Sequence, residues 1–276
     1  MMRSVPFDIS CLFVVSIGVV VGRAWADRPA ELGPAEDIAF TARVDGSTQR
    51  YVQMLPVGFD ARRPCDVLVA LHGHGSDRWQ FVRNSRDECR AVRDVAAANG
   101  MIYVSPDYRA KTSWMGPAAE ADLVQILAEL KTKYAVRRVI ICGGSMGGTS
   151  ALTFAALHPE LVQGVAALNG HANHVEYTGF QDAIRQSFGG SKQEKSDEYR
   201  RRSAELAADR LTMPVALTVS DNDRAVPPAS TLRLAAKLKA LDRTVLLIRR
   251  PAAGHATNYA DSRAAIEFVV GRAGGK

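Results

Sequence analysis

Short runs of uninterrupted apolar residues recur along this chain, separated by longer stretches in which the apolar positions fall three or four apart. Asp66-Val67-Leu68-Val69-Ala70-Leu71 is the clearest run, apolar at every position after the first, as a strand buried on both faces requires. Arg50 to Leu55 alternates instead, which predicts a strand with one exposed face. Met101 to Ser105, Arg138 to Cys142, Val162 to Leu168, Met213 to Val219 and Thr244 to Ile248 complete the predicted strands. Between them the helical period appears: Asp87 to Ala98, closed by Asn99-Gly100, and Ala118 to Tyr134, with Leu123, Ile126, Leu127 and Leu130 on one face. Gly147 to Leu157, Ala229 to Leu241 and Arg263 to Val270 are the remaining helices. Strands and helices that alternate in this way predict an α/β fold, a mostly parallel central sheet covered by helices on both faces. Ligands of such sheets bind at the carboxyl ends of the strands.

Residues 1–26 do not belong to that pattern. Arg3 precedes an apolar stretch from Ile9 to Val21, and Ala24-Trp25-Ala26 before Asp27 has the small-x-small form of a signal-peptidase site. The stretch is about 13 residues, short of the ~20 that span a bilayer. We therefore expect a signal peptide over 1–26, a retained anchor being the alternative, and a secreted or periplasmic protein with no membrane association after cleavage. Residues 27–276 are expected to form a single domain with a small insertion, a lid candidate, at 171–212. The formal charge of +6 is modest and scattered except at Arg200-Arg201-Arg202 and Arg249-Arg250, so no nucleic-acid surface is indicated. The triple arginine reads as a solvated helix face. Cys142 reads as a small buried hydrophobe, and Cys65 and Cys89 are a candidate disulfide in an oxidising compartment. No Cys/His cluster has metal-ligand spacing, so no metal is expected.

Chemistry enters at the strand ends. Val139 to Cys142 runs into Gly143-Gly144-Ser145-Met146-Gly147, a Gly-x-Ser-x-Gly between a strand and a helix. A serine lifted above a sheet edge needs a sharp turn, and side chains flanking it would strike the neighbouring strand and helix. Serine is a weak nucleophile unless a base takes its proton and a third group orients the base. Of the six histidines, His255 lies in the loop after the Thr244 strand, at the sheet edge where Ser145 must sit. His158 before Pro159 reads as a surface or capping residue. Asp221 and Asp223 both lie in the loop after the Met213 strand. Leu71-His72-Gly73-His74-Gly75 is a glycine-bearing loop suited to present backbone N–H groups to an oxyanion. The backbone N–H groups of His74 and Met146 are the assigned donors, with His72 a structural residue beneath the loop.

With these residues in place, the sequence resembles the α/β-hydrolase superfamily, and within it the prolyl-oligopeptidase-like catalytic domain and the secreted feruloyl, acetyl-xylan and polyhydroxybutyrate esterases. The resemblance covers about Tyr51 to Val270. "RYVQMLP" leading to "VLVALHGHGSD" looks like the esterase branch, and "YRRRSAELAADRLTMPVALTVSDNDRAVP" looks like the peptidase branch. The Asp-x-x-Val-Pro spacing of the family selects Asp223 as the acid, leaving Asp221 as a turn former that bonds backbone two residues on. Val219-Ser220 replaces the His-Gly common before the acid in the peptidase branch. The resemblance implies an α/β-hydrolase fold, a Ser145-Asp223-His255 triad and a covalent acyl-enzyme formed without a cofactor.

The leading expectation is a serine esterase with a small-molecule or polysaccharide-linked ester substrate bearing a small or aromatic acyl group. A serine peptidase with the same triad is the alternative, and a catalytically silent binding module a third reading. No β-propeller segment is read in these 276 residues. Trp79, Tyr108, Trp114, His171, His174 and Tyr259 lie near the predicted loop edge and are candidates to line the pocket. Gly179, Gly189 and Gly190 are candidate hinges of the lid, whose Ser191 to Arg202 stretch is charge-rich and short of apolar residues. These features predict an open cleft for short acyl esters.

Overall fold

The computed structural model describes residues 31–274 together with Met1; the expected signal peptide lies outside the described residues. The strands are β1 (Glu36–Thr41), β2 (Thr48–Met54), β3 (Cys65–Leu71), β4 (Ile102–Pro106), β5 (Val136–Gly144), β6 (Gly164–Leu168), β7 (Val215–Ser220) and β8 (Val245–Arg250). The helices are α1 (Gln80–Arg83), α2 (Asp87–Ala98), α3 (Pro117–Lys133), α4 (Met146–Leu157), α5 (Gln181–Phe188), α6 (Ser196–Arg201), α7 (Ala229–Ala240) and α8 (Tyr259–Arg272). They form one eight-stranded sheet in the order β1-β2-β4-β3-β5-β6-β7-β8. From β4 to β8 neighbouring strands run parallel, and β1 and β2 are antiparallel at one edge. This is the α/β-hydrolase fold.

Strand period 2 sorts the core into two layers. Val67, Val69 and Leu71 of β3, with Val139 and Ile141 of β5 and Val165 of β6, face Leu123 and Ile126 of α3, Leu152 of α4 and Leu234 of α7. Leu68, Ala70, Ile140, Cys142 and Ala166 face the other way, against Val92 and Val95 of α2 and Ile266 and Val269 of α8. That division also decides the cysteines. Cys65 opens β3 in the first layer and Cys89 of α2 lies in the second, so the sheet separates them. Both are free and buried rather than joined in the candidate disulfide.

Two features depart from the expected pattern. β1 lies outside the predicted strands, because Glu36–Thr41 is a short edge strand that opens with two acidic residues and whose inward Ile38 and Phe40 are only half-buried. The 171–212 insertion is not a loose polar cover: Ile184 and Phe188 of α5 and Tyr199 of α6 are buried in the first layer. Arg202, read as part of a solvated face, is fully buried, because Glu120 of α3, Glu198 and the carbonyl of Met115 surround its guanidinium.

Candidate active site

β5 delivers its chain to α4 through a single residue. Ser145 has φ 57° and ψ −121°, a left-handed backbone that costs a non-glycine residue about 1–3 kcal/mol and persists only where its surroundings impose it. They do so here: Ser145 N–H donates to the Leu168 carbonyl at 2.8 Å, and α4 starts at Met146. The flanking glycines are demanded by contact, since a Cβ on Gly147 would lie 2.0 Å from the Leu71 carbonyl oxygen and one on Gly143 2.6 Å from the same atom.

The loops after β7 and β8 bring two more side chains to this turn. His255 Nε2 lies 2.8 Å from Ser145 Oγ, and His255 Nδ1 lies 2.7 Å from Asp223 Oδ2. Asp223 is buried, and its other oxygen, Oδ1, accepts the backbone N–H groups of Ala225 (3.0 Å) and Val226 (2.8 Å). Both carboxylate oxygens are thus occupied, and the acceptor Oδ2 calls for a proton on Nδ1. Nε2 is left with a lone pair for the serine hydroxyl. The turn-forming bond expected of Asp221 belongs to Asp223 instead. Asp221 is held on the surface by Arg249 at 2.8 Å.

The loop after β3 supplies donors. Gly73 N–H is taken by Gln80 Oε1 at 2.7 Å and Gly75 N–H by the Lys111 carbonyl at 2.8 Å, while the N–H groups of His74 and Met146 have no partner among the described residues. His72 is buried beneath the loop, with Nδ1 2.9 Å from the Gly73 carbonyl and Nε2 3.2 Å from the Asp107 carbonyl. Burial pushes its pKa down, so the neutral ring has one N–H for two carbonyls. Burial also lowers His74, whose Nδ1 accepts the Trp114 indole N–H at 3.1 Å. His158 caps α4 and bonds Glu120 at 2.9 Å.

A cavity of about 390 Å³ opens over Ser145 and His255, walled by His74, Phe81, Arg86, Glu88, Leu168 and Phe180. None of Trp79, Tyr108, Trp114, His171 and Tyr259 lines it. Trp114 is fully buried behind His74 and Phe180 and packs on His171 and Tyr177. Tyr108 is buried and donates to the His72 carbonyl at 2.6 Å. His171 stacks on Tyr177, and burial drives its pKa to about 3. His174 is likewise buried, against His171, Trp114 and Phe188. Trp79 lies under the Arg83 guanidinium, and Tyr259 donates to Asp94 at 2.8 Å. Trp114, Tyr108, His171 and His174 fill space beneath the loops, and Trp79 and Tyr259 lie half-exposed against charged side chains, so none of them faces the cavity. Three of the walls, Phe81, Arg86 and Glu88, come from the α1 to α2 segment, where the hydrophobic pattern carries no mark of a site. Among the described residues no group of three or more His, Cys, Asp and Glu is placed to hold a metal ion.

Sheet, strained serine turn and hydrogen-bonded Ser-His-Asp chain together define an α/β-hydrolase of the serine-hydrolase class. Residues 88–269 match the model of the prolyl oligopeptidase family, and the chain belongs to that family. It is 28% identical over 126 residues to a 1-acylglycerol-3-phosphate O-acyltransferase of Arabidopsis thaliana, an alignment that covers 44% of this chain and only 28% of the plant protein. Among solved structures, a ferulic acid esterase from Anaeromyces mucronatus superposes with a TM-score of 0.63 at 17% identity, covering 88% of this chain and 92% of that one. The acylaminoacyl peptidase of Pyrococcus horikoshii superposes with a TM-score of 0.65 at 15% identity, over 87% of this chain but 41% of the peptidase. At these identities the superpositions speak for the fold.

Proposed function

We propose that the protein cleaves carboxylic esters through a covalent acyl-enzyme, with Ser145 as nucleophile, His255 as general base and Asp223 as the residue that orients the base. The observation that carries this reading is the unbroken hydrogen-bond chain from Ser145 Oγ through both nitrogens of His255 to Asp223, opening into a cavity. His255 Nε2 takes the hydroxyl proton as Oγ attacks the ester carbonyl, and imidazolium then gives it to the departing alkoxide. The free N–H groups of His74 and Met146 receive the charge on the tetrahedral oxygen, each contributing about 2.7–4 kcal/mol to the transition state. Water repeats the sequence on the acyl-enzyme and releases the acid.

A small-molecule ester or a polysaccharide-linked ester fits a cavity of about 390 Å³ that is open to solvent. The ferulic acid esterase likeness supports ester cleavage, and family membership supports aminoacyl-amide cleavage as the second reading. Export to the periplasm or medium is proposed from the first 26 residues. Purified protein assayed on a panel of acyl esters and aminoacyl-amides separates the two activities, and turnover of amides but not esters would overturn the first reading. Ser145→Ala should abolish turnover and fluorophosphonate labelling together; a variant still active would remove Ser145 from the mechanism and leave the silent-module reading or another nucleophile.

A further inference from the structure

The base of this site stands on a segment that the scaffold barely holds. Residues 251–257, between β8 and α8, make no backbone–backbone hydrogen bond of good geometry among the described residues. Packing does not replace the missing bonds. Most of the segment is exposed, and a cavity of about 350 Å³ lies beside Ala253 and Ala256; only at its far end does a side chain reach the sheet, where the buried Thr257 hydroxyl meets the Thr218 hydroxyl at 3.2 Å. One side chain reaches the segment's backbone: Asn169 Nδ2 donates to the His255 carbonyl at 2.8 Å, with a longer contact of 3.5 Å to the Gly254 carbonyl.

Asn169 is itself fixed from below. Its backbone N–H donates to the Thr218 carbonyl at 3.1 Å, and its Oδ1 accepts the Thr218 hydroxyl at 2.9 Å, which orients the amide so that Nδ2 points at His255. It is buried and has φ 49°, in the left-handed region where glycine, asparagine and aspartate are the usual residues. Of these, asparagine alone also offers an N–H pair. The preceding residue, Leu168, holds the Ser145 N–H through its carbonyl. Two consecutive residues at the end of β6 therefore hold the nucleophile turn and the base segment in one frame.

We propose that Asn169 is a positioning residue that sets the place of His255 relative to Ser145, an inference that rests on the acyl-transfer reading of the site. A misplacement of about 1 Å at a reacting group can cost about 100-fold in rate. Two variants isolate the amide: Asn169→Gly keeps the left-handed backbone and removes the side chain, and Asn169→Asp keeps the shape and sets an oxygen against the His255 carbonyl. In both, kcat on a short soluble ester and the rate of fluorophosphonate labelling should fall by roughly 10- to 100-fold, with KM changed by less than about threefold. The downfield proton resonance of the His255–Asp223 hydrogen bond should broaden or vanish while the fold, read by circular dichroism, persists. Wild-type kcat with the resonance retained in both variants would overturn the proposal, as would a rise in KM at constant kcat. A wild-type protein that fluorophosphonate does not label at Ser145 would instead overturn the acyl-transfer reading, so the two failures are told apart.

Discussion

Removing the Glu120 carboxylate by Glu120→Gln should unfold the insertion's anchorage more severely than any surface change. Glu120 Oε2 lies 2.7 Å from Arg202 Nη2, and its Oε1 lies 2.9 Å from both Arg201 Nη2 and His158 Nε2. The Arg202 side chain has no solvent exposure, so without Glu120 it keeps a buried positive charge with only Glu198 and the Met115 carbonyl beside it. Stranding one member of a buried pair costs about 3–5 kcal/mol. A second route gives a similar size. Burial alone would raise the Glu120 pKa, but the hydrogen bonds from His158, Arg201 and Arg202 outweigh it and hold the group at about 2. That depression from an ordinary glutamate corresponds to roughly 3 kcal/mol of stability at neutral pH. The contribution is complete above about pH 4.5 and is lost as pH falls toward 2. Thermal unfolding followed by circular dichroism should show Glu120→Gln melting roughly 6–12 °C below wild type at pH 7. The gap should narrow as pH falls from about 5 toward 2, first because the unfolded chain takes up a proton on Glu120 and then, near 2, because the folded protein does. Adding Arg202→Met should cost less than the two single losses together, since an apolar side chain needs no counter-charge. A loss below about 1 kcal/mol at pH 7, or one independent of pH, would refute this account of the cluster.

Asp223→Asn should leave the fold intact and lower kcat by about 10⁴-fold, because an amide can no longer hold the imidazole in the required tautomer. Asp221→Asn, which loses only an exposed pair with Arg249, should stay within about twofold; steady-state kinetics on one ester decide both. Gly147→Ala should abolish soluble expression because its Cβ would overlap the Leu71 carbonyl, whereas Gly271→Ala in α8 has open space around it and should stabilise by up to about 1 kcal/mol in urea titration. Profiling esters from acetate to palmitate should show kcat/KM falling beyond about eight acyl carbons, although each buried CH₂ is worth up to about 0.8 kcal/mol; a maximum at long chains would show an apolar acyl groove that the cavity lining does not suggest.

Much of this molecule is local, and local features are written in the sequence. The strands of the parallel sheet are runs of five to nine residues, the central ones buried on both faces, so Cys65–Leu71 and Ile102–Pro106 are legible to within a residue or so. Ser145, Asp223 and His255 are legible because each follows the end of such a strand and because glycines mark the turn that lifts the serine. What the sequence cannot express is which side chain fills which gap between loops. Trp79, Tyr108, Trp114, His171 and Tyr259 look like pocket residues because they lie near the right edge in sequence. Tertiary packing turns Trp114 and His171 into the filling behind the His74 loop and brings Phe81 and Glu88 to the cavity from a segment with no distinguishing pattern. Arg202 is the sharpest case. Three consecutive arginines suggest solvent by composition alone, and only the approach of α3 to the insertion, some 80 positions away in the chain, supplies the carboxylate that lets one of them be buried. The linear code thus determined the sheet and the chemistry at its strand ends, because both follow from periodicity and from turns of a few residues. The tertiary structure decided the walls of the site and the fate of its charges, because those depend on contacts between segments that no periodicity connects.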